Sequence, residues 1–128
     1  MKTTCYLLLL SLIALLSGCT TIEAPRASNL EHVVLLWLKE PGNVEHRQQI
    51  MAVSKSFAKI PSVRDVRVGQ VIPSDRAIVD SSFDVGIIVS VDDAQGLKDY
   101  LVHPIHEEAK NEVLLPLVEK ILVYDFAE

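Results

Sequence analysis

Residues 83–91, FDVGIIVSV, alternate between two kinds of side chain, and this alternation decides the fold class. Every odd-numbered residue from Phe83 to Val91 is apolar, whereas aspartate, glycine and serine hold three of the four positions between them. A period of two is that of a β-strand with one buried face. Directly afterwards, Asp92 and Gln95 have the spacing of a capping box, which predicts a short helix that reaches Val102.

The sequence before this strand supplies two more strands and a helix. Residues 31–38, EHVVLLWL, form a nearly continuous apolar run, which is typical of a buried strand. In residues 44–60, apolar side chains recur at spacings of three, four and three from Ile50 to Ile60, and this pattern predicts an amphipathic helix. Residues 63–72 alternate as a second strand and are followed by a polar loop.

The sequence after residue 102 supplies the remaining elements. Pro104 suits the first position of another helix, which we expect to reach about Val118 and to be shortened or bent by Pro116. Residues 121–126 alternate again and predict a last strand. The order β-α-β-β-α-β predicts one α+β domain over residues 31–128, with a ferredoxin-like, four-stranded antiparallel sheet and helices on one face.

The sheet face that no helix covers, called the open face below, is apolar. Four strands about 4.8 Å apart and about 20 Å long give it roughly 400 Å² in projection, which is large for a monomer. We therefore expect a homodimer formed sheet to sheet. The side chains assigned to this face from the first and last strands are Val33, Leu35, Trp37, Leu122, Tyr124 and Phe126.

The first 18 residues have the features of a cleaved signal peptide. Lys2 precedes an apolar run of 11 residues, which is too short to span a hydrocarbon core of roughly 30 Å. The sequence Leu-Ser-Gly-Cys ending at Cys19 resembles the lipobox of bacterial lipoproteins, in which this cysteine is acylated and becomes the N-terminus. An ordinary signal peptide with an incidental cysteine and an uncleaved signal anchor are the alternatives.

The lipobox predicts a location in the bacterial cell envelope. Acyl chains such as palmitate on Cys19 would anchor the chain stably, since such anchoring needs more than one chain. Thr20, in place of aspartate, resembles the outer-membrane sorting signal of enteric-type lipoproteins, which places the domain in the periplasm. Residues 19–30 have no apolar period and predict a tether of up to roughly 35 Å. With Cys5 removed, no thiol remains for a disulfide.

The charge balance excludes one class of partner. The 128 residues contain 12 Lys and Arg against 17 Asp and Glu, a formal net charge of −5, and the basic residues form no run. Binding to phosphate backbones or to anionic lipid surfaces depends on clustered Lys and Arg. We expect no nucleic-acid partner.

Four motifs together resemble the stress-responsive dimeric α/β barrel (Dabb) family. They are HVVL at residues 32–35, IPSV at 60–63, YLVHPIH at 100–106 and VYDF at 123–126. The resemblance implies a homodimer whose two sheets pack into a barrel, and it does not imply one activity. Some plant members are polyketide cyclases, and by position in the motifs His32, Tyr100 and His106 match the histidines and tyrosine used there. The chain departs from the cyclase pattern at Val85, where that pattern has a histidine.

The expected topology brings a candidate site together. The first and last strands are antiparallel neighbours, so His32 should lie beside Asp125, and the carboxylate would fix the imidazole tautomer. His106 lies in a first helical turn, where the macrodipole helps to keep it neutral as a general base, and Tyr100 could donate a hydrogen bond to an oxyanion. The expected lining of the pocket is Val34, Leu36, Val85, Ile87 and Val123, with Ile121 on the same side of the last strand.

Structural roles compete with these assignments. His32 and Asp125 could simply satisfy each other at a sheet edge, and His103 suits the N-cap of a helix better than a ligand role. His46 is expected on the exposed side of the first helix. His103, His106 and Glu107 give no clear metal-ligand set, so no metal is predicted. The sequence has no Gly-rich phosphate loop, nucleophile elbow or CxxC motif, and no cofactor is predicted.

Two functional hypotheses follow. In the first, the domain binds a small hydrophobic carbonyl compound, with or without acid/base conversion of the cyclase or lyase type. In the second, it is a non-catalytic envelope or stress-response dimer whose interior is filled by its own side chains. A cavity of about 300 Å³ or more favours the first hypothesis. Haem or other monooxygenase chemistry would rest on fold analogy alone.

Overall fold

The structure, a computed structural model, describes residues 29–128. Its strands are β1 (Leu30–Leu38), β2 (Val63–Gln70), β3 (Val85–Val91) and β4 (Val118–Ala127), and its helices are α1 (Val44–Lys55), α2 (Ala94–Leu101), α3 (Pro104–Ala109) and α4 (Leu115–Leu117). A 3₁₀ turn (Ser56–Lys59) extends α1, and a π-helical turn (Lys110–Leu114) joins α3 to α4. Within residues 29–128, every helix is too short or too polar to cross a membrane.

The predicted signal peptide, Cys19 and nearly all of the tether lie outside the described residues. Only the end of the predicted tether is described, and there β1 begins at Leu30, one residue before the predicted domain boundary. The cleavage, the lipid anchor and the outer-membrane location therefore stay predictions.

All four strands pair antiparallel in the order β2-β3-β1-β4, so the predicted ferredoxin-like sheet is confirmed. The first and last strands of the chain, β1 and β4, are neighbours in the sheet, as expected. Val34 of β1 pairs with Val123 of β4 on one side and with Ile87 of β3 on the other. The pairing of β1 with β4 contains a bulge, because Trp37 pairs with Lys120 whereas Leu38 pairs with Val118. Glu119 is therefore the extra residue of β4, and it has no register partner in β1.

The core lies between the helices and the face of the sheet that they cover. Even-numbered residues of β1 and odd-numbered residues of β3 point to this face, and Leu36, Val85 and Val89 are fully buried there. Ile50 and Phe57 of the helical segment bury the opposing apolar stripe, as the spacing predicted. Each such side chain contributes about 1.5–3 kcal/mol when it leaves water.

The helix caps correct one prediction and confirm another. The N-cap of α2 is Asp93, whose carboxylate accepts from Gly96 N at 2.8 Å, so the expected cap at Asp92 is wrong. Gln95 bonds to Asp99 instead of closing a capping box. His103 caps α3 through Nδ1, which accepts from Ile105 N at 3.2 Å.

Element boundaries differ from the prediction where the backbone leaves a regular period. The helix expected from Pro104 to about Val118 changes to a π-helical turn at Lys110, and β4 begins at Val118, three residues before the expected strand. Asp84, expected inside a strand, precedes β3 and is buried. Its carboxylate oxygens accept from Leu38 N at 3.0 Å and from Gly42 N at 2.9 Å, which joins the end of β1 to the following loop.

The open face is uncovered within the part of the chain that the structure describes. Tyr124 and Phe126 of β4 are more than half exposed, at 55% and 57%. Trp37 is half-buried, and its Nε1 donates to Ser82 Oγ at 3.0 Å while Lys120 Nζ lies 4.1 Å from the centre of its ring. An apolar face of this kind in a folded domain marks an interaction surface.

Candidate functional site

His32 and Asp125 are joined, as the antiparallel pairing of β1 and β4 predicted. The two residues are register partners, and Nδ1 of His32 lies 2.6 Å from Oδ1 of Asp125. His32 is 7% exposed, whereas the side chain of Asp125 is half exposed. Because an ionised carboxylate only accepts, Nδ1 carries the proton and donates it. In the neutral ring, Nε2 is therefore the free acceptor.

Tyr100, near the end of α2, is the centre of a cluster of rings. Its ring centroid lies 5.7 Å from that of His32, 5.6 Å from that of Phe57 and 4.6 Å from that of His106. The residue is 2% exposed, and this burial raises the pKa of its phenol above the ordinary value of 10.0. Tyr100 therefore stays protonated and can only act as a hydrogen-bond donor or weak acceptor at neutral pH. Within residues 29–128, its hydroxyl has no hydrogen-bond partner.

His106 in α3 is held in the tautomer that a general base needs. Nδ1 lies 2.9 Å from the carbonyl oxygen of Leu101, and because a carbonyl can only accept, Nδ1 carries the proton. Nε2 of the neutral ring then has a lone pair available. Burial lowers the pKa of His106 below 6.5, and the charges of Lys110 and His32 act in the same direction, against the Leu101 carbonyl and Glu107. Burial is the largest of these effects and favours the neutral ring.

A cavity of about 180 Å³ lies between the α2 and α3 helices and the β1–β4 side of the sheet. Its wall is almost entirely apolar, and it is open at β4, an edge strand where Ile121 and Val123 are about two-fifths exposed. The structure brings seven of the residues named from the sequence to this cavity: His32, Val34, Ile87, Tyr100, His106, Ile121 and Val123.

The remaining predicted residues lie behind the cavity wall. Asp125 reaches the site only through His32. Leu36 and Val85 do not line the cavity, contrary to the prediction. They form a register pair with each other, two residues along β1 from the pair of Val34 and Ile87, and both are fully buried in the core. The strand parity was right, but parity does not fix the depth at which a side chain meets the helices.

Four lining residues were missed by the sequence interpretation. Lys110 could have been predicted, because it follows His106 by four residues and therefore shares its helix face. The π-helical turn that starts at Lys110 and ends at Leu114 has no signature in the apolar pattern. π-turns are rare and occur frequently at functional sites. The missed residues are Phe57, Leu101, Lys110 and Leu114.

Three other depressions are larger, but His32, Tyr100 and His106 line none of them. One of them, of about 270 Å³, includes Glu31 and Arg67. A groove of about 310 Å³ lies between α1 and α3 and includes Val53 and Ile105. A depression of about 290 Å³ lies on the open face and includes Leu35 and Phe83. The cavity with the histidines, at about 180 Å³, is below the 300 Å³ expected for a ligand site, yet it is not a filled interior.

The other histidines have structural positions. The ring of His103 is used as the cap of α3. His46 is half-buried, and its Nδ1 is buried without a partner among the described residues, so the expectation of a solvated side chain is wrong. In the same part of the chain, no three His, Cys, Asp or Glu side chains are grouped as metal ligands would be.

Comparisons with known proteins agree with this architecture. None of the curated protein sequences matches the chain. A Dabb family protein with a ferredoxin-like fold from Mesorhizobium loti is 20% identical, with a TM-score of 0.64 over 77% of this chain and 95% of that chain. A dimeric ferredoxin-like protein of unknown function from Thermobifida fusca is 18% identical, with a TM-score of 0.65 over 80% and 93%.

A third solved structure is an enzyme. Hydroxynitrile lyase from Passiflora edulis is 20% identical, with a TM-score of 0.66 over 80% of this chain and 94% of that chain. Identities this low establish a common fold alone. The sequence itself carries the family assignment, because residues 30–128, from the first residue of β1 to the end of the chain, match the stress responsive A/B barrel domain. The chain belongs to the stress responsive A/B barrel (Dabb) family.

Proposed function

We propose that this domain binds a small hydrophobic carbonyl compound in the cavity of His32, Tyr100 and His106 and converts it by acid/base chemistry. The observation that carries the proposal is the complementary state of two groups at one apolar cavity. His106 has a lone pair at Nε2 and a lowered pKa, while Tyr100 is kept protonated by burial, with ring centroids 4.6 Å apart. A base beside a neutral donor is what enolisation requires.

The proposed step moves one proton. Nε2 of His106 removes a proton from the carbon next to the carbonyl, and the electron pair of that C–H bond forms the enolate. The Tyr100 hydroxyl donates a hydrogen bond to the oxygen on which the negative charge develops. The His32–Asp125 pair holds the opposite wall and offers Nε2 of His32 as a second proton acceptor. The similar fold of the hydroxynitrile lyase from Passiflora edulis supports the proposal, because it is an example of this fold in a lyase.

We propose that the domain acts as a homodimer formed through the open face. Supporting this are the exposed Tyr124 and Phe126 and the dimeric state of similar proteins from Thermobifida fusca and Bacteroides fragilis. Packing two such sheets would remove both apolar faces from water.

We also propose that acylated Cys19 anchors the dimer in the outer membrane, facing the periplasm. The support is the Leu-Ser-Gly-Cys sequence that ends at Cys19 after a short apolar run, with threonine as the next residue. Anchored in this way, the cavity would meet small hydrophobic molecules that cross the envelope.

The proposal is tested by hydrogen exchange into a carbonyl probe. Phenylacetone, a ketone with a single ring, is incubated in D₂O with the full-length chain in lipid nanodiscs, and loss of its α-proton NMR signals is followed against empty nanodiscs. We expect exchange above the blank, reduced by about 10²-fold or more in His106→Gln, the usual effect of removing a general base. Tyr100→Phe should also slow it.

The control is Lys98→Met, which removes a positive charge from the exposed surface of α2 at a residue that does not line the cavity. It should leave the exchange rate unchanged. A wild-type rate equal to that of empty nanodiscs, or an unchanged rate in His106→Gln, would refute the proposed chemistry.

The non-catalytic dimer is a second candidate because of one observation. The cavity of about 180 Å³ is smaller than the roughly 300–1,000 Å³ of most small-molecule sites. On this reading, His32 and Asp125 satisfy each other and the ring cluster is structural. The second candidate predicts neither exchange nor any chemical-shift change at His106 when phenylacetone is added.

A further inference from the structure

Lys110 brings a full positive charge to the wall of the cavity. It is the residue at which α3 passes into the π-helical turn, and both the first and the last residue of that turn, Lys110 and Leu114, line the cavity. Its side chain is about one-third exposed, and Nζ donates to Glu107 Oε1 at 2.5 Å. The wide turn thus places a lysine in the wall of an apolar cavity.

The charge of Lys110 is not balanced inside the cavity. Of the lining residues within 29–128, Lys110 is the only Lys or Arg, and none is Asp or Glu. The two carboxylates nearby are paired with other groups, Asp125 with His32 and Glu107 with the ammonium group of Lys110, and neither lines the cavity. The lining of the cavity therefore contains one cationic residue, Tyr100, two histidines and otherwise apolar side chains.

We propose that the ligand of this cavity carries a carboxylate or similar anionic group that pairs with Lys110, so that the substrate class is a ring-sized hydrophobic acid with a carbonyl function. The inference rests on the proposed function, since it uses the same cavity. A volume of about 180 Å³ suits a molecule of this size, because an apolar cavity of about 150 Å³ accommodates benzene. The ammonium group at the rim then orients the acid, and the ring occupies the apolar part.

Glu107 has a defined place in this scheme. It binds the ammonium group through an ion pair whose side chains are about two-fifths exposed, and such pairs are weak in water. A ligand carboxylate in the cavity competes with Glu107 for the same donor. Removal of the Glu107 charge should therefore strengthen anion binding.

Ligand charge and base strength are linked through the same lysine. Lys110 and His106 are four residues apart, and the charge of Lys110 lowers the pKa of His106. An anion bound to Lys110 offsets that charge, so the His106 pKa rises and its neutral form becomes a stronger base. A ligand without a negative charge lacks this effect.

The test uses two probes of almost the same shape, phenylacetate and phenylacetamide, which differ in charge. Their binding to the full-length chain in lipid nanodiscs is measured at pH 7.5 by NMR titration, together with the His106 pKa in each complex. We expect phenylacetate to bind about ten-fold more tightly and to raise the His106 pKa. In Lys110→Met the ten-fold preference should vanish with phenylacetamide binding unchanged, and in Lys110→Arg it should persist.

Two further variants sharpen the result. Glu107→Gln should increase the preference for phenylacetate, and Lys98→Met, on the exposed side of α2, should leave it at the wild-type value. Equal affinities of the wild type for the two probes, or a preference that survives in Lys110→Met, would overturn the assignment of an anionic ligand while leaving phenylacetone exchange intact. If neither probe binds and phenylacetone does not exchange, the inference and the proposed function fail together.

Discussion

Replacement of Asp84 by alanine should destabilise the domain more than any other change at a charged residue outside the cavity. Asp84 is 7% exposed, and its two carboxylate oxygens accept from the backbone N–H groups of Leu38 and Gly42 at 3.0 and 2.9 Å. Hydrogen bonds to a charged group each contribute about 1.5–3 kcal/mol, and loss of the acceptor leaves the N–H of Leu38 buried without a partner. Water can reach exposed Gly42, so we take the lower end of the range, about 3 kcal/mol.

A loss of about 3 kcal/mol is large for a domain of this size. At about 4–8 °C for each kcal/mol, it lowers Tm by roughly 12–24 °C. Urea unfolding at a fixed protein concentration measures the same quantity through Trp37, the one tryptophan of the chain, which directly precedes Leu38. Fixed concentration matters because a dimer is stabilised by mass action.

Asp80→Ala is the matched control. Asp80 also accepts a backbone hydrogen bond, from Ser82 N at 2.8 Å, but it does so on the surface. We expect its Tm to stay close to that of the wild type. A loss of less than about 1 kcal/mol in Asp84→Ala, or equal effects of the two substitutions, would refute the reasoning that burial makes the Asp84 hydrogen bonds strong.

Four further outcomes are expected. The rate of phenylacetone exchange should be independent of pH above the ordinary histidine pKa of 6.5 and should fall at lower pH with a midpoint below 6.5. The reason is that the neutral ring of His106 is the base and that the pKa of this ring is lowered. A midpoint above 6.5 would contradict this assignment. Lys110→Met removes a positive charge and should move that midpoint upward. Trp37→Glu places a charge on the open face and should convert the dimer to a monomer in analytical ultracentrifugation, whereas an unchanged mass argues against packing through this face. Cys19→Ala should abolish acylation and release the chain from the membrane fraction, and a variant still acylated and membrane-bound would exclude the lipobox.

Apolar periodicity was enough to predict the fold. The alternation of residues 83–91 and the helical spacing from Ile50 to Ile60 are direct consequences of which faces are buried, so element order and strand neighbours followed from them. The pairing of His32 with Asp125 followed in turn, since antiparallel neighbours bring the start of β1 beside the end of β4. A contact between residues far apart in the sequence can therefore be predicted once the order and direction of the strands are known.

Other parts of the site depend on properties that the apolar pattern does not carry. The π-helical turn that brings Lys110 and Leu114 to the cavity is a change of backbone hydrogen bonding within an apparently regular helix. Leu36 and Val85 point to the same face as the lining residues, but they lie two residues further along their strands, where other core side chains bury them fully. The cap at Asp93 in place of Asp92 was ambiguous by one residue, because both aspartates precede the helix and carry the same side chain.

Because the pairing of β1 with β4 contains a bulge, the effect of deleting one residue of β4 on the candidate site depends on where that residue lies. Val118, before the bulge, points to the helix-covered side together with Leu38, and so does Asp125 after it, although their numbers differ in parity. Only the extra residue, Glu119, reconciles the two. A deletion of Glu119 would place Lys120 directly after Val118 and still opposite Trp37, so the pairing would become regular and the rest of β4 would keep its faces. A deletion after the bulge, such as that of Leu122 with Glu119 still bulged, would instead turn Val123 and Asp125 toward the open face, so the site depends on the number of residues between the bulge and Asp125.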